Sequence, residues 1–145
     1  GVPRPFVLPG TTLPTGFIHT SDGFIVAGEP ESAATWFPVN DHPTDPATYT
    51  FRVTVPVGTQ VVANGVREGV TSAGDRKTHV WQAHEPMASY LTTVNVGNFR
   101  LRFDETESGV PLIDAVHRDL GPRVDDALRH AVRVARAGAP ALWCD

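Results

Sequence analysis

The segment from Thr48 to Val55 alternates strictly between polar and apolar side chains, and this pattern constrains the fold more than any other feature of the sequence. The apolar set is Tyr49, Phe51, Val53 and Val55. Successive side chains of a β-strand point to opposite faces of a sheet, whereas a helix repeats every 3.6 residues. The segment is therefore predicted to be a strand with one buried face.

Shorter β-like runs surround this strand, and they lie at 17–20, 24–27, 59–63, 66–70, 77–83, 88–96, 99–103 and 110–116. The dipeptides Asp22-Gly23 and Asn64-Gly65 predict two hairpins, because glycine adopts positive φ freely. Residues 1–16, rich in proline and glycine, are predicted to be irregular, and the polar stretches 71–76 and 84–87 are predicted turns. The pattern as a whole indicates a mostly β, antiparallel fold.

The hydrophobic period changes near His117. Beyond Leu120, apolar residues recur at helical spacing from Val124 to Ala135, with Asp125 early and Arg136 late in the segment. Acidic residues in the first turn and basic residues in the last turn suit the helix dipole. One C-terminal helix and a domain boundary near His117 are predicted.

Charge and hydropathy exclude two classes of partner. The net charge is −4 and the basic residues are dispersed, which argues against nucleic acid. No apolar run reaches the roughly 20 residues that a membrane-spanning helix needs. The single cysteine, Cys144, leaves the compartment undecided. The segment Gly1-Val2-Pro3 is expected to be a start inside a longer chain.

The chain shows no complete catalytic centre. His84-Glu85 begins an H-E-x-x-H zinc motif, but Ala88 stands where the second histidine belongs. Two interpretations apply to the region around Asp41. His19, Asp41 and His42 would suit a metal site or a general base, whereas the composition of Asn40 to Pro46 is typical of a turn. No phosphate-binding loop or nucleophile elbow is present.

Aromatic residues next to the β-runs allow two interpretations. Trp36-Phe37 and Trp81 would suit a carbohydrate-stacking platform, or they would pack in the core. Core packing is the more common fate of such residues.

The run from Trp36 to Tyr49, which begins Trp36-Phe37-Pro38, resembles the signature of the N-terminal domain in the aminopeptidase N family of gluzincin zinc peptidases. Pro46 departs from the lysine usual in that signature. The likeness continues through Thr50 to Pro56, Val62 to Gly65 and Glu85 to Leu91, in the family's order and approximate spacing.

The resemblance implies an antiparallel β sandwich or saddle over residues 1–117, followed at 118–145 by the start of a truncated thermolysin-like catalytic domain. It implies a parent zinc aminopeptidase whose H-E-x-x-H helix lies downstream of this segment. The expected cofactor is therefore zinc in the parent enzyme, with none bound here, and the expected partners are peptide substrates. The 145-residue chain alone is predicted to be inactive.

One substrate-binding residue follows from the same resemblance. The family places an acidic or amide side chain about eight residues before its F-P dipeptide, where it binds the substrate's free α-amine. Glu29 occupies that position, although Ala27 replaces the glutamine often found two residues earlier. A solvated loop acid is the competing interpretation of Glu29.

Two other functions stay open. The chain would serve as a stand-alone, non-catalytic β binding module, which associates with itself through exposed strand edges or with a partner through those edges or the Trp36 region. An independent metalloenzyme built on His19, Asp41 and His42 is the third hypothesis.

Overall fold

The computed structural model of the chain describes residues 3–106, 109–120 and 124. These residues form ten strands and two short 3₁₀ helices, Ala33–Thr35 and Ser89–Leu91. The strands are β1 (Pro5–Val7), β2 (Pro14–His19), β3 (Phe24–Ala27), β4 (Ala47–Pro56), β5 (Gln60–Ala63), β6 (Val66–Ala73), β7 (Arg76–Met87), β8 (Val94–Gly97), β9 (Phe99–Glu105) and β10 (Pro111–His117). All strand pairs are antiparallel.

The chain divides into two compact units, Gly1–Asn98 and Phe99–Asp145. The first unit holds a five-stranded sheet with the order β1-β2-β3-β8-β5 and a three-stranded sheet with the order β4-β7-β6. Residues of β5 contact both β4 and β7, so the two sheets meet along this strand. The fully buried Val61 lies on β5 at this meeting point.

The three-stranded sheet buries one face, as the alternation in β4 predicts. Phe51 of β4 lies opposite Trp81 of β7, and Val53 lies opposite His79. Trp81 has no exposed surface and His79 is 2% exposed. The strand prediction for 48–55 is confirmed, because its apolar residues share the face that this tryptophan covers.

The second unit contains the β9–β10 hairpin, in which Ile113 lies opposite Phe103. An ion pair joins Arg102 on β9 to Asp114 on β10 at 3.6 Å. Phe99 and His117 meet edge to face at the open end of the hairpin. The runs predicted at 99–103 and 110–116 are therefore confirmed as strands.

The first predicted hairpin is confirmed, but its glycine serves a different purpose. β2 and β3 pair with His19 opposite Phe24, and the Thr20 N–H donates to the Gly23 carbonyl at 3.0 Å. Gly23 does not have a positive φ; a side chain there would collide with the backbone of Val96. Close approach of a neighbouring strand explains this glycine.

The second predicted hairpin is wrong. β5 pairs with β8, whereas β6 pairs with β7, so Asn64-Gly65 carries the chain from one sheet to the other. Gly65 has the positive φ (+86°) expected of a turn glycine. The dipeptide does form a turn, as its composition predicts. Strand pairing, however, depends on which apolar faces are buried together, and the dipeptide does not encode that.

Three smaller predictions need correction. Residues 1–16 are not wholly irregular, since they contain β1 and the start of β2. The turn predicted at 71–76 is narrower, since only Gly74 and Asp75 lie between β6 and β7. The stretch predicted as a turn at 84–87 lies within β7, where exposed side chains need not be apolar. The run 88–96 is not one strand, because a 3₁₀ helix precedes β8.

The predicted C-terminal helix falls almost entirely on residues outside those that the structure describes. The domain boundary near His117 stays a prediction. No described helix has the length and apolar character needed to cross a membrane.

Candidate functional site

A cleft of about 260 Å³ opens beside Glu29, between two segments of the first unit. One wall consists of Ala27, Gly28 and Glu29, which end and follow β3, and the other wall is the Tyr90–Thr93 segment. We call this space the Glu29 cleft. Gly28 is buried against the Tyr90 carbonyl, and any side chain at position 28 would collide with that carbonyl. The two backbones therefore meet directly at the base of the cleft.

A buried serine forms hydrogen bonds to the Glu29 wall. Ser32 is 1% exposed, and its backbone N–H and its hydroxyl both donate to the Gly28 carbonyl, at 3.0 and 2.9 Å. The same hydroxyl lies 3.3 Å from the Ala27 carbonyl. Glu29 itself is exposed, and its peptide bond to Pro30 is cis. An exposed acidic residue thus lies at the cleft, next to a backbone carbonyl that Ser32 holds.

The opposite wall is anchored by Asn64, which follows β5. Its side-chain amide donates to the Leu91 carbonyl at 3.1 Å and accepts the Thr93 N–H at 2.6 Å. The Thr93 hydroxyl donates to the Val26 carbonyl of β3 at 2.9 Å, which ties this wall to the strand that leads to Glu29. The predicted turn residue Asn64 is therefore also a structural bridge.

Asp41 connects the segments that adjoin the two walls. One carboxylate oxygen accepts the Ala34 N–H at 3.0 Å, and the other accepts the Ser89 hydroxyl at 2.7 Å. Asp41 has a positive φ of 43°, which asparagine and aspartate tolerate better than most residues. Sequence reasoning missed this role, since Ser89 is 48 residues away. The signal was present only in the family resemblance, which includes both residues.

Glu29 is the only carboxylate among the described residues that line the cleft. A carboxylate accepts strong, charge-assisted hydrogen bonds from an ammonium group. The described lining offers no nucleophile paired with a general base, and its other members are small, hydroxylated or apolar. The described lining thus offers one carboxylate that could interact with a cation.

The structure does not bring His19, Asp41 and His42 together as metal ligands. His19 Nε2 lies 3.4 Å from the Pro3 carbonyl, and His42 Nδ1 lies 2.8 Å from the Thr44 hydroxyl. Within the described ranges, no three His, Cys, Asp or Glu side chains are grouped closely enough to hold a metal ion. The described residues therefore do not fit the zinc ion that the resemblance implies for the parent enzyme.

The partial motif His84-Glu85 lies on strand β7, with His84 Nε2 3.1 Å from the carboxylate of Glu68 on β6. A strand does not place residues four apart as a helix does, which removes the geometric basis of a zinc helix here. The pair is an exposed cross-strand contact.

The tryptophans do not form a joint stacking platform, because Trp81 is completely buried. Trp36 and Phe37 meet edge to face at 4.5 Å, and the contacts continue through Tyr49 to Phe51 on β4. Burial raises the pKa of Tyr49, and the nearby Asp45 and Asp41 carboxylates raise it further. Packing explains these aromatic residues.

Comparisons with known proteins agree with this architecture. The sequence profile described as Peptidase M1 N-terminal domain matches residues 22–91. An M1 zinc metallopeptidase from Deinococcus radiodurans is 29% identical, with a TM-score of 0.72 over 81% of this chain and 28% of that chain. A two-domain M1 zinc metallopeptidase mutant bound to L-arginine is 26% identical, with a TM-score of 0.79 over 94% of this chain and 32% of that one.

A more distant structure supports the fold alone. The aminopeptidase A of Legionella pneumophila, in complex with aspartic acid, is 21% identical, with a TM-score of 0.67 over 85% of this chain and 16% of that one. A search of curated proteins gave no match. The chain spans less than a third of the length of the first M1 metallopeptidase structures that it matches. Residues 22–91 of the chain match the N-terminal domain of M1 peptidases, and the resemblance found in the sequence is confirmed.

Proposed function

We propose that this chain is part of a zinc-dependent aminopeptidase, in which it is a scaffold and the wall that recognises the substrate N-terminus. The observation that carries the proposal is the exposed Glu29 carboxylate at the cleft, on a backbone held by Ser32. The likeness to M1 zinc metallopeptidases supports the class of reaction. Catalysis is assigned to a downstream domain, because the resemblance implies that the H-E-x-x-H zinc helix lies there.

In the proposed parent enzyme, residues 1–117 form a sandwich or saddle-shaped β domain. The contact of β5 with β4 and β7 supports a layered arrangement of the two sheets in the first unit. Residues 118–145 would begin the thermolysin-like catalytic domain. Zinc held in that domain would polarise the water that attacks the N-terminal peptide bond.

Glu29 would select for a free amino terminus. A carboxylate favours an ammonium group through Coulomb attraction and charge-assisted hydrogen bonds, and an acetylated terminus offers neither. An M1 metallopeptidase mutant from Deinococcus radiodurans has been solved bound to a Tyr-Ser-Ala substrate, which supports peptides as the substrate class.

The test uses the complete reading frame that contains this segment, expressed with Glu29→Gln or Glu29→Ala. Hydrolysis of aminoacyl anilides should depend on zinc, and Glu29→Ala should reduce kcat/KM about 10-fold or more through loss of a charge-assisted contact. Glu29→Gln should have a smaller effect, since its amide oxygen still accepts a hydrogen bond.

Glu31→Ala is the matched control, because Glu31 is an exposed acid two residues away that does not line the cleft. It should retain the wild-type kcat/KM. Equal activity of Glu29→Ala and the wild-type enzyme would reject the recognition role. A reading frame without an H-E-x-x-H motif, or activity insensitive to chelators, would reject the zinc aminopeptidase itself.

A stand-alone binding module is the second candidate, and the edge of the three-stranded sheet favours it. Within the described part of the chain, the 10-residue strand β4 pairs with β7 on one side and with no strand on the other. Such an edge accepts a further strand from a copy or a partner. A concentration-independent monomer in light scattering would argue against self-association through this edge.

A further inference from the structure

One carboxylate joins the two segments that adjoin the walls of the Glu29 cleft. Asp41 accepts one hydrogen bond from Ala34, in the 3₁₀ helix that follows the Glu29 wall, and one from Ser89, immediately before the opposite wall. Both bonds lie within ordinary hydrogen-bond distance, at 3.0 and 2.7 Å. Asp41 is therefore a contact between the two segments, in addition to the hydrogen bonds of Asn64 and Thr93.

Short hydrogen-bonded paths continue from each end of this bridge. On one side, the Thr35 hydroxyl donates to the Ser32 carbonyl at 2.6 Å, and Ser32 in turn holds the Gly28 carbonyl. On the other side, the Thr92 hydroxyl and N–H both donate to the Ser89 carbonyl, at 2.6 and 2.9 Å. A shift of the bridge would move the backbone of both walls.

We propose that Asp41 is a positioning residue that sets the width of the Glu29 cleft and thereby the affinity of Glu29 for a primary ammonium group. Asp41 does not line the cleft, so it acts through the two walls rather than by contact with the ligand. The part of this inference that concerns the ligand rests on the proposed function; the part that concerns the walls does not.

Three substitutions distinguish the effect of the two Asp41 hydrogen bonds from the effects of its negative charge and of its backbone conformation. Asp41→Asn removes the charge, but its amide oxygen accepts the Ala34 N–H while its NH₂ group donates to the Ser89 hydroxyl oxygen. Asp41→Gly keeps the positive φ without strain and removes the bridge. Ser89→Ala removes one half of the bridge with a small change in volume.

Asp45→Asn is the matched control. Asp45 lies in the same turn and accepts a hydrogen bond from Asn40 at 3.0 Å, a bond that an amide oxygen preserves. The Asp45→Asn substitution removes one negative charge, as Asp41→Asn does, and Asp45 forms no hydrogen bond to either wall. A general effect of charge on the turn would therefore appear in both variants.

The experiment is a titration of the nitrogen-15-labelled 145-residue chain with alaninamide, followed by amide chemical shifts. The wild-type chain, Asp45→Asn and Asp41→Asn should bind alaninamide with dissociation constants within about two-fold of each other, and Asp41→Gly should bind about 10-fold more weakly. Ser89→Ala should weaken binding about three-fold or more, and it keeps the test valid if Asp41→Gly does not fold.

The comparison of Asp41→Asn with Asp41→Gly tests the positioning role of Asp41. If Asp41→Asn binds as weakly as Asp41→Gly, or if Asp41→Gly and Ser89→Ala bind like the wild-type chain, the positioning role is wrong. If the wild-type chain does not bind alaninamide, the part of this inference that concerns the ligand fails, and the wall shifts are then decisive. Asp41→Gly should still move the amide signals of both Gly28 and Leu91, and Asp41→Asn should restore them; unchanged signals at either residue would overturn the inference.

Discussion

The buried imidazole of His79 leads to the sharpest prediction about stability. His79 is 2% exposed on the inner face of β7, opposite Val53 of β4 and Val70 of β6. Neither ring nitrogen has a hydrogen-bond partner among the described residues. Burying a polar group without a partner costs about 1–3 kcal/mol. Replacing His79 with leucine, an apolar residue of comparable size, should therefore stabilise the first unit by about 2 kcal/mol at pH 7.5.

The same residue makes wild-type stability depend on pH. Burial lowers the pKa of His79 from its usual 6.5, and the nearby positive charges of Arg67 and Lys77 lower it further. Between that lowered value and 6.5, the unfolded chain binds a proton that the folded chain does not, so stability is lost as the pH falls below 6.5. At pH 5.5 this loss reaches at most about 1.4 kcal/mol relative to pH 7.5.

Urea unfolding followed by circular dichroism and tryptophan fluorescence at pH 7.5 and 5.5 measures both effects. His79→Leu should raise the free energy of unfolding at pH 7.5 and should lack the part of the acid-dependent loss that His79 causes. His84→Gln is the matched control, since its side chain is 64% exposed and it should retain the wild-type pH dependence. A His79→Leu protein that is less stable than wild type at pH 7.5, or that loses as much stability at pH 5.5, would refute the reasoning.

Two further substitutions probe the Glu29 cleft. Gly28→Ala should destabilise the first unit by about 2 kcal/mol or more, because the added Cβ would collide with the Tyr90 carbonyl. Gly69→Ala is the control, and it should change the free energy of unfolding by less than about 1 kcal/mol because the space around position 69 is open. Asn64→Ala should cost about 1–3 kcal/mol in urea unfolding, because it leaves backbone groups at Leu91 and Thr93 without their partner; wild-type stability would contradict the bridging role.

Local periodicity predicted the strands well wherever one face is buried. The alternation of β4 indicated which residues face the core, and the structure places Tyr49, Phe51, Val53 and Val55 together on the more buried face. The exposed ends of β6 and β7 escaped prediction, because a strand that is solvated on both faces carries no alternation.

Pairing was harder to predict than strand position. Asn64-Gly65 has the composition of a hairpin turn, yet the strands on its two sides belong to different sheets. The choice follows from the burial of Val61 and Trp81, which is a property of the whole core. A turn dipeptide biases two or three backbone angles, and it cannot outweigh the burial of an entire strand face.

The candidate site shows the same division between local and long-range information. Glu29 was identified through a resemblance, since nothing about an exposed acid after a β-run distinguishes it from a solvated loop residue. Asp41 looked like a turn former or a metal ligand, and its neighbours in sequence supported the turn. Its carboxylate instead joins two backbone segments that approach each other only in the folded chain. The candidate site combines one exposed charge with a hydrogen-bonded bridge, and the bridge depends on contacts between segments that are distant in the sequence. A single sequence therefore reveals such a site only where a family signature already contains both partners.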